Sequence, residues 1–164
     1  MIDKIIKRIE FLSKIGAYLS AFLLSAIVIL IFANIADRIL FNSSILITDE
    51  YSAYLFVGVI MLALAFTLKE NAHIKITLLS SSLTAKPAKF LRIASIIIAL
   101  FISSMLFYFS SAMVYQSFSL DIRADTVSQT KLFIPQLFIP IGFLLFSIEL
   151  LAILLKELRW FPIR

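Results

Sequence analysis

Four stretches of this chain run almost without charge for the length of a bilayer crossing. That feature restricts it to an all-α, membrane-embedded fold. A helix needs roughly 20 apolar residues to cross about 30 Å of hydrocarbon, and it satisfies its backbone polar groups internally, as lipid demands. The first stretch is Ile15–Ala36, with no charged residue. The second is Tyr51–Leu68, bracketed by Asp49 and Glu50 before it and by Lys69 and Glu70 after it. The third, Ile93–Leu120, is longer than a straight crossing needs and is predicted to tilt or to project beyond the hydrocarbon. The fourth, Leu132–Leu155, is interrupted only by Glu149. The predicted spans are thus about 15–36, 50–68, 93–118 and 132–155, in one membrane domain covering 1–164. Composition agrees: 62% of residues are hydrophobic and 15% charged, against about 45–50% and about 25% in soluble domains.

The charges between the spans set an orientation. Twelve of the fifteen Lys and Arg residues lie before the first span, between the second and third, or after the fourth. Only Arg38, Arg123 and Lys131 fall on the other side. The positive-inside rule then predicts both termini in the cytoplasm. The net charge of +5 is accounted for by the anionic inner leaflet, so membrane lipids are the expected partner and no nucleic acid is needed. The first span is too long for a signal-peptide core of about 7–15 residues, and no clear small-x-small site follows it. It reads as a retained helix.

The connections are sparse. The longest is the middle inner loop, where Ile74, Ile76, Leu78, Leu79 and Leu83 fall among Thr77 and three serines. This stretch reads either as an interfacial helix or as an apolar loop packed on the bundle. Pro87 suits the first turn of the third helix. Within the third span, Ala99, Ser103, Ser110 and Ser117 make a small-residue stripe on one face. Such residues let membrane helices approach closely, either within the chain or at a seam for another subunit. Sixteen phenylalanines exceed what four helices can bury, which points to lipid and to a larger membrane partner.

Few residues offer chemistry. Cysteine is absent, and His73 is the single histidine. Thiolate sites, disulfides and bis-histidine haem ligation within the chain are therefore excluded, and no cofactor or metal is expected. Gly16, Gly58 and Gly142 are far apart in sequence, so there is no phosphate loop. His73 is expected to be a structural hydrogen-bonder. Asp49 and Glu50 open the second helix, where a cap and complementation of the helix dipole are the expected roles. Pairing with Arg38 or docking of a soluble partner are the alternatives. Glu149 is an intramembrane acid and hence a functional candidate; it also reads as a structural group, either protonated or paired with Lys89 or Arg92. Pro135 is tolerated near the start of the fourth helix, and Pro140 is expected to kink it.

Taken in order, these features resemble the small membrane subunit, the DctQ-like or Q subunit, of tripartite ATP-independent periplasmic (TRAP) transporters. The resemblance rests on Arg38 and Phe41, on Asp49-Glu50, and on Tyr54-Leu55-Phe56. It continues through Lys69-Glu70-Asn71-Ala72-His73-Ile74-Lys75-Ile76 and on through Ile134-Pro135 with Ile139-Pro140-Ile141-Gly142. Departures are Gly58 where an aromatic residue is usual, Ala63 where glycine is usual, and Gln136-Leu137-Phe138 where a tryptophan often follows the proline. The resemblance implies a non-catalytic scaffold in the bacterial inner membrane. It implies a large DctM-like membrane subunit as partner, which carries the sodium and solute sites, and a periplasmic substrate-binding protein that delivers an organic acid such as a C4-dicarboxylate or a sialic acid. Asp49, Glu50, Asp121 and Asp125 would then be the outer acids available for docking. An autonomous four-helix small transporter or exporter using Glu149 is the competing expectation, although such proteins are shorter and carry their glutamate in the first helix.

Overall fold

The structure is a computed structural model and describes residues 2–43, 46–71 and 85–159. Four long helices dominate it. Helix α1 spans Ile2–Phe41, α2 Thr48–Asn71 and α3 Ala85–Ser119. A single turn, α4 at Phe133–Gln136, leads into α5 at Phe138–Arg159. All four predicted spans fall on helices long and apolar enough to cross a membrane. The expected interfacial segment 74–83 and His73 lie outside the described residues.

Two helices overrun the predicted spans. Helix α1 is 40 residues long, or about 60 Å. It starts at Ile2 rather than Ile15, so it carries Lys4, Lys7, Arg8, Glu10 and Lys14 on a helical stem beyond the apolar stretch. Helix α3, at 35 residues, or about 52 Å, holds Pro87 in its first turn and projects as expected. The helix ends have local causes. Asn42 follows α1 with φ 53°, the left-handed conformation that asparagine tolerates and that halts a helix. After α3, Asp121 takes the same role at φ 46°. The Ile122 N–H donates to the Ser117 carbonyl at 3.0 Å and the Asp121 N–H to that of Phe118 at 3.3 Å. That is a Schellman arrangement with aspartate in the usual glycine place.

The helices pack in the order α1, α2, α5, α3, with α1 also touching α5. Helix α2 is gripped from two sides at consecutive residues. A Cβ on Gly16 of α1 would stand 2.6 Å from the Leu62 carbonyl oxygen, and one on Gly142 of α5 would stand 2.7 Å from the Met61 carbonyl oxygen. The two glycines distant in sequence thus serve one purpose, backbone contact with the same turn of α2. Ser20 Oγ adds a hydrogen bond to the Val59 carbonyl at 2.8 Å. The serine stripe of α3 faces α5: Ser103 Oγ lies 2.7 Å from Ser147 Oγ, and Ala99 packs on the cluster of Ile96, Leu150 and Ile153. Of the two readings of the stripe, packing within the chain is the one observed.

The helical pattern of the fourth span is interrupted at Leu137, three residues before Pro140, whose missing N–H leaves the Gln136 carbonyl without its helical donor. The ring of Phe138 comes within 3.2 Å of where a Cβ at position 58 would stand. It takes the space that an aromatic side chain at Gly58 would need.

Candidate functional site

Two polar sites stand out, one at each end of the bundle. The end remote from the chain termini is organised by Glu50. Its Oε1 accepts hydrogen bonds from Tyr54 OH and Ser128 Oγ, each at 2.7 Å. Its Oε2 accepts from Thr126 Oγ1 at 2.7 Å. Thr130 Oγ1 lies 2.7 Å from Ser128 Oγ and donates to Tyr51 OH at 3.2 Å. Thr126, Ser128 and Thr130 lie in a turn, in which the Gln129 N–H donates to the Thr126 carbonyl at 3.2 Å and Gln129 takes φ 46°. Two backbone bonds close the base of this turn: the Ala124 N–H donates to the Thr130 carbonyl at 2.9 Å and the Leu132 N–H to that of Ile122 at 3.0 Å. These bonds flank an isolated antiparallel bridge between Arg123 and Lys131. Asp121 spans the two cations, 2.9 Å from Arg123 Nη2 and 3.1 Å from Lys131 Nζ. Hydrogen bonds first from Arg123 and then from Lys131 hold its carboxyl below the usual aspartate range.

This geometry divides the four candidate docking acids. Glu50 and Asp121 are occupied in tying the 121–131 loop to α2 and to itself. Asp49 and Asp125 are exposed and make no ion pair among the described residues. Helix α2 begins at Thr48, so Asp49 lies within the first turn rather than at the cap. It complements the helix dipole there. The alternative pairing of Asp49 with Arg38 is not formed; Arg38 is exposed in the last turn of α1.

The second site is the buried acid. Glu149 is 0% exposed, and its Oε2 accepts a hydrogen bond from Ser13 Oγ of α1 at 2.5 Å. Its Oε1 has no hydrogen-bond partner among the described residues. Arg92, one of the two cations expected near Glu149, is engaged elsewhere. Arg92 binds Glu157 at 2.7 Å, because Glu157 lies two turns further along α5 and reaches the polar end. Lys156 reaches across to Glu10 at 2.6 Å. This bond fixes the start of α1 beside the end of α5, so both lie at one end of the bundle. Pro135, Pro140 and Gly142 are buried at the junction of α4 and α5 with α2. Among the described residues no three acidic or histidine side chains gather to hold a metal ion.

Sequence reasoning missed the hydroxyl partners of Glu50 and the Ser13 partner of Glu149. The concentration of hydroxyls at Thr126, Ser128 and Thr130 was a usable signal for the first. Nothing in the local sequence marks Ser13 among the serines of α1.

Four apolar helices, cross-linked by buried polar groups and closed at both ends by hydrogen bonds and ion pairs, define a multi-pass membrane protein. Residues 27–159 match the family described as tripartite ATP-independent periplasmic transporters, DctQ component, and the chain belongs to that family. It is similar to a protein of Haemophilus influenzae described as a TRAP transporter small permease. The two are 36% identical over 74 residues, which are 45% of this chain and 46% of the relative. It is also similar to the C4-dicarboxylate TRAP transporter small permease protein DctQ of Vibrio cholerae, at 29% identity over 97 residues, 59% of this chain and 42% of that protein. The chain thus spans less than half the length of the curated relatives it matches.

Proposed function

We propose that the chain is a non-catalytic scaffold subunit of a sodium-coupled TRAP transporter in the bacterial inner membrane, with both termini in the cytoplasm. It binds a large DctM-like membrane subunit and helps a periplasmic substrate-binding protein to dock. The transported solute is an organic acid of the C4-dicarboxylate or sialic acid type. The observation that carries the reading is the family match over residues 27–159. The packing supports it: α1 and α3 flank the bundle and present Tyr18, Phe22, Ile29 and Phe32, and Phe101, Tyr108 and Tyr115, outward. These faces suit lipid and a larger membrane partner. At the opposite end Asp49 and Asp125 remain available as docking acids, next to a loop that Glu50 holds in shape.

The test is reconstitution. A tagged chain is expected to bring down a much larger membrane protein from its native host, and sodium-dependent uptake is expected only with both present. Stable isolation alone, together with unaltered uptake on deletion, would overturn the proposal. A second reading, an autonomous four-helix exporter, draws support from the unpartnered Oε1 of Glu149. Loss of drug export by the chain alone on Glu149→Gln would favour it.

A further inference from the structure

Near the termini-bearing end, between α1 and α2, the surface opens into a groove of about 290 Å³ lined by Lys14, Ala17, Tyr18, Ala21 and Phe66. Lys14, Ala17, Tyr18 and Ala21 share one face of α1 by their spacing. The groove therefore runs along the helix for about 10 Å, from the Lys14 ammonium past the methyls of Ala17 and Ala21. Phe66 forms the α2 wall. Lys69 Nζ lies 5.7 Å from the centroid of that ring, which puts a second ammonium beside the groove. Lys14, Lys69 and Lys156 all act on Glu10, so the three cations share one neighbourhood. Glu10 is taken up by Lys156 at 2.6 Å, and Glu70 is 3.7 Å from Lys69. Three lysines against two glutamates leave this neighbourhood net positive.

We infer that this groove binds one anionic phospholipid, with its phosphodiester at Lys14 and Lys69 and the upper part of an acyl chain over Ala17, Ala21 and Phe66. The order of chemistry along the groove is that of an amphiphile standing in a leaflet. A free anion has no use for the apolar floor, and a partner helix would need a longer face than about two turns. Basic pockets between membrane helices on the cytoplasmic side suit acidic headgroups. The inference rests on the orientation proposed above, which sets this end in the inner leaflet.

Native mass spectrometry of the full chain in detergent tests it, with phosphatidylglycerol, phosphatidylcholine of matched chains, and glycerol 3-phosphate as separate probes. One retained phosphatidylglycerol per chain is expected, favoured over phosphatidylcholine. Lys14→Gln is expected to weaken retention about five-fold, since one lysine near an anionic surface contributes about that factor. Ala21→Phe is expected to fill the groove and abolish retention with melting unchanged, and Lys131→Gln at the far end to have no effect. Equal retention of the two lipids would overturn the inference, as would wild-type retention by both Lys14→Gln and Ala21→Phe. Retention of glycerol 3-phosphate as strong as that of the lipid would overturn it in favour of a soluble-phosphate site. Detergent has no sides, so this result is independent of orientation. Single cysteines placed at Lys7 and Asp125 in this cysteine-free chain, labelled by an impermeant maleimide in intact cells, report orientation separately.

Discussion

Alanine substitution at the three glycines should have two opposite outcomes, and the structure says which belongs to which. At Gly16 the new Cβ meets the Leu62 carbonyl oxygen at 2.6 Å, and at Gly142 it meets Met61 Cβ and the Met61 carbonyl oxygen, both at 2.7 Å. Ordinary contact begins near 3.4 Å, so either helix must back away from α2 by about 0.7–0.8 Å. Backbone atoms inside a helix cannot yield that distance alone. Overpacking of this kind costs about 1–3 kcal/mol, while alanine in place of glycine returns about 1 kcal/mol of helix propensity. Each variant should therefore be destabilised by up to about 2 kcal/mol. At Gly58 the close atoms are Leu23 Cδ1 at 2.7 Å and the Phe138 ring at 3.2 Å, the far ends of side chains that can turn. There the propensity gain survives, and Gly58→Ala should be neutral or more stable by up to about 1 kcal/mol.

The double variant Gly16→Ala with Gly142→Ala sharpens the test. Met61 and Leu62 are consecutive, so α2 cannot move away from one clash without moving toward the other helix. The loss in the double variant should exceed the sum of the two single losses by about 0.5 kcal/mol or more, the range for coupled neighbours. Thermal unfolding in mild detergent, followed by far-ultraviolet circular dichroism, reads all four variants. If Gly58→Ala proves the most damaging, or if Gly16→Ala and Gly142→Ala melt as the parent does, the close approach of three backbones at this level is wrong.

Ser13→Ala strips Glu149 of its one hydrogen bond among the described residues and should cost about 1–3 kcal/mol in the same assay; Ser13→Ala combined with Glu149→Leu should recover most of it, and a neutral single change would refute the tie. The carboxyl of Asp121 is held low in the folded state by Arg123 and Lys131, so its contribution is present above the unfolded aspartate value of about 3.9 and is lost as pH falls through the folded value. Hydrogen exchange at the Ala124 and Leu132 amides, corrected for intrinsic rates, should accelerate over that acid range, and Asp121→Asn should abolish the pH dependence. Glu50→Gln should loosen the same loop, whereas Asp49→Asn should leave its exchange unchanged. The joint change of both acids should weaken uptake or assembly moderately, and unchanged assembly, stability and uptake would show them to be dispensable.

Much of this architecture was legible because lipid is a demanding solvent. It allows few charges, so four uncharged runs became four helices, and the surviving charges mark the ends. The errors are at the boundaries. The helix of α1 continues past Ile15 to Ile2 because hydropathy reports where apolar residues stop, not where backbone hydrogen bonding stops. The fourth span breaks between α4 and α5 at Leu137, beside Pro140, which removes one backbone donor there. The serine stripe was legible as a face, but not which helix it faces, since small residues suit any close neighbour.

Pairings between distant residues were the least legible, and Glu149 shows why. Position alone made it a functional candidate, since a carboxylate inside a span is expensive. Expense does not identify the compensating group. Lys89 and Arg92 were reasonable partners by charge, yet Glu157 holds Arg92 at 2.7 Å, and Glu149 turns instead to a hydroxyl on α1. One turn of α2 decides this. Gly16 and Gly142 bring α1 and α5 against Met61 and Leu62 closely enough for Ser13 to reach across, so the glycines set the acid's partner without touching it. A larger residue at either glycine should therefore loosen the Ser13–Glu149 bond as well as the packing. The stability loss from Gly16→Ala should then shrink when Ser13 is already alanine. If it does not, the glycine contacts and the buried carboxylate are independent features of the bundle.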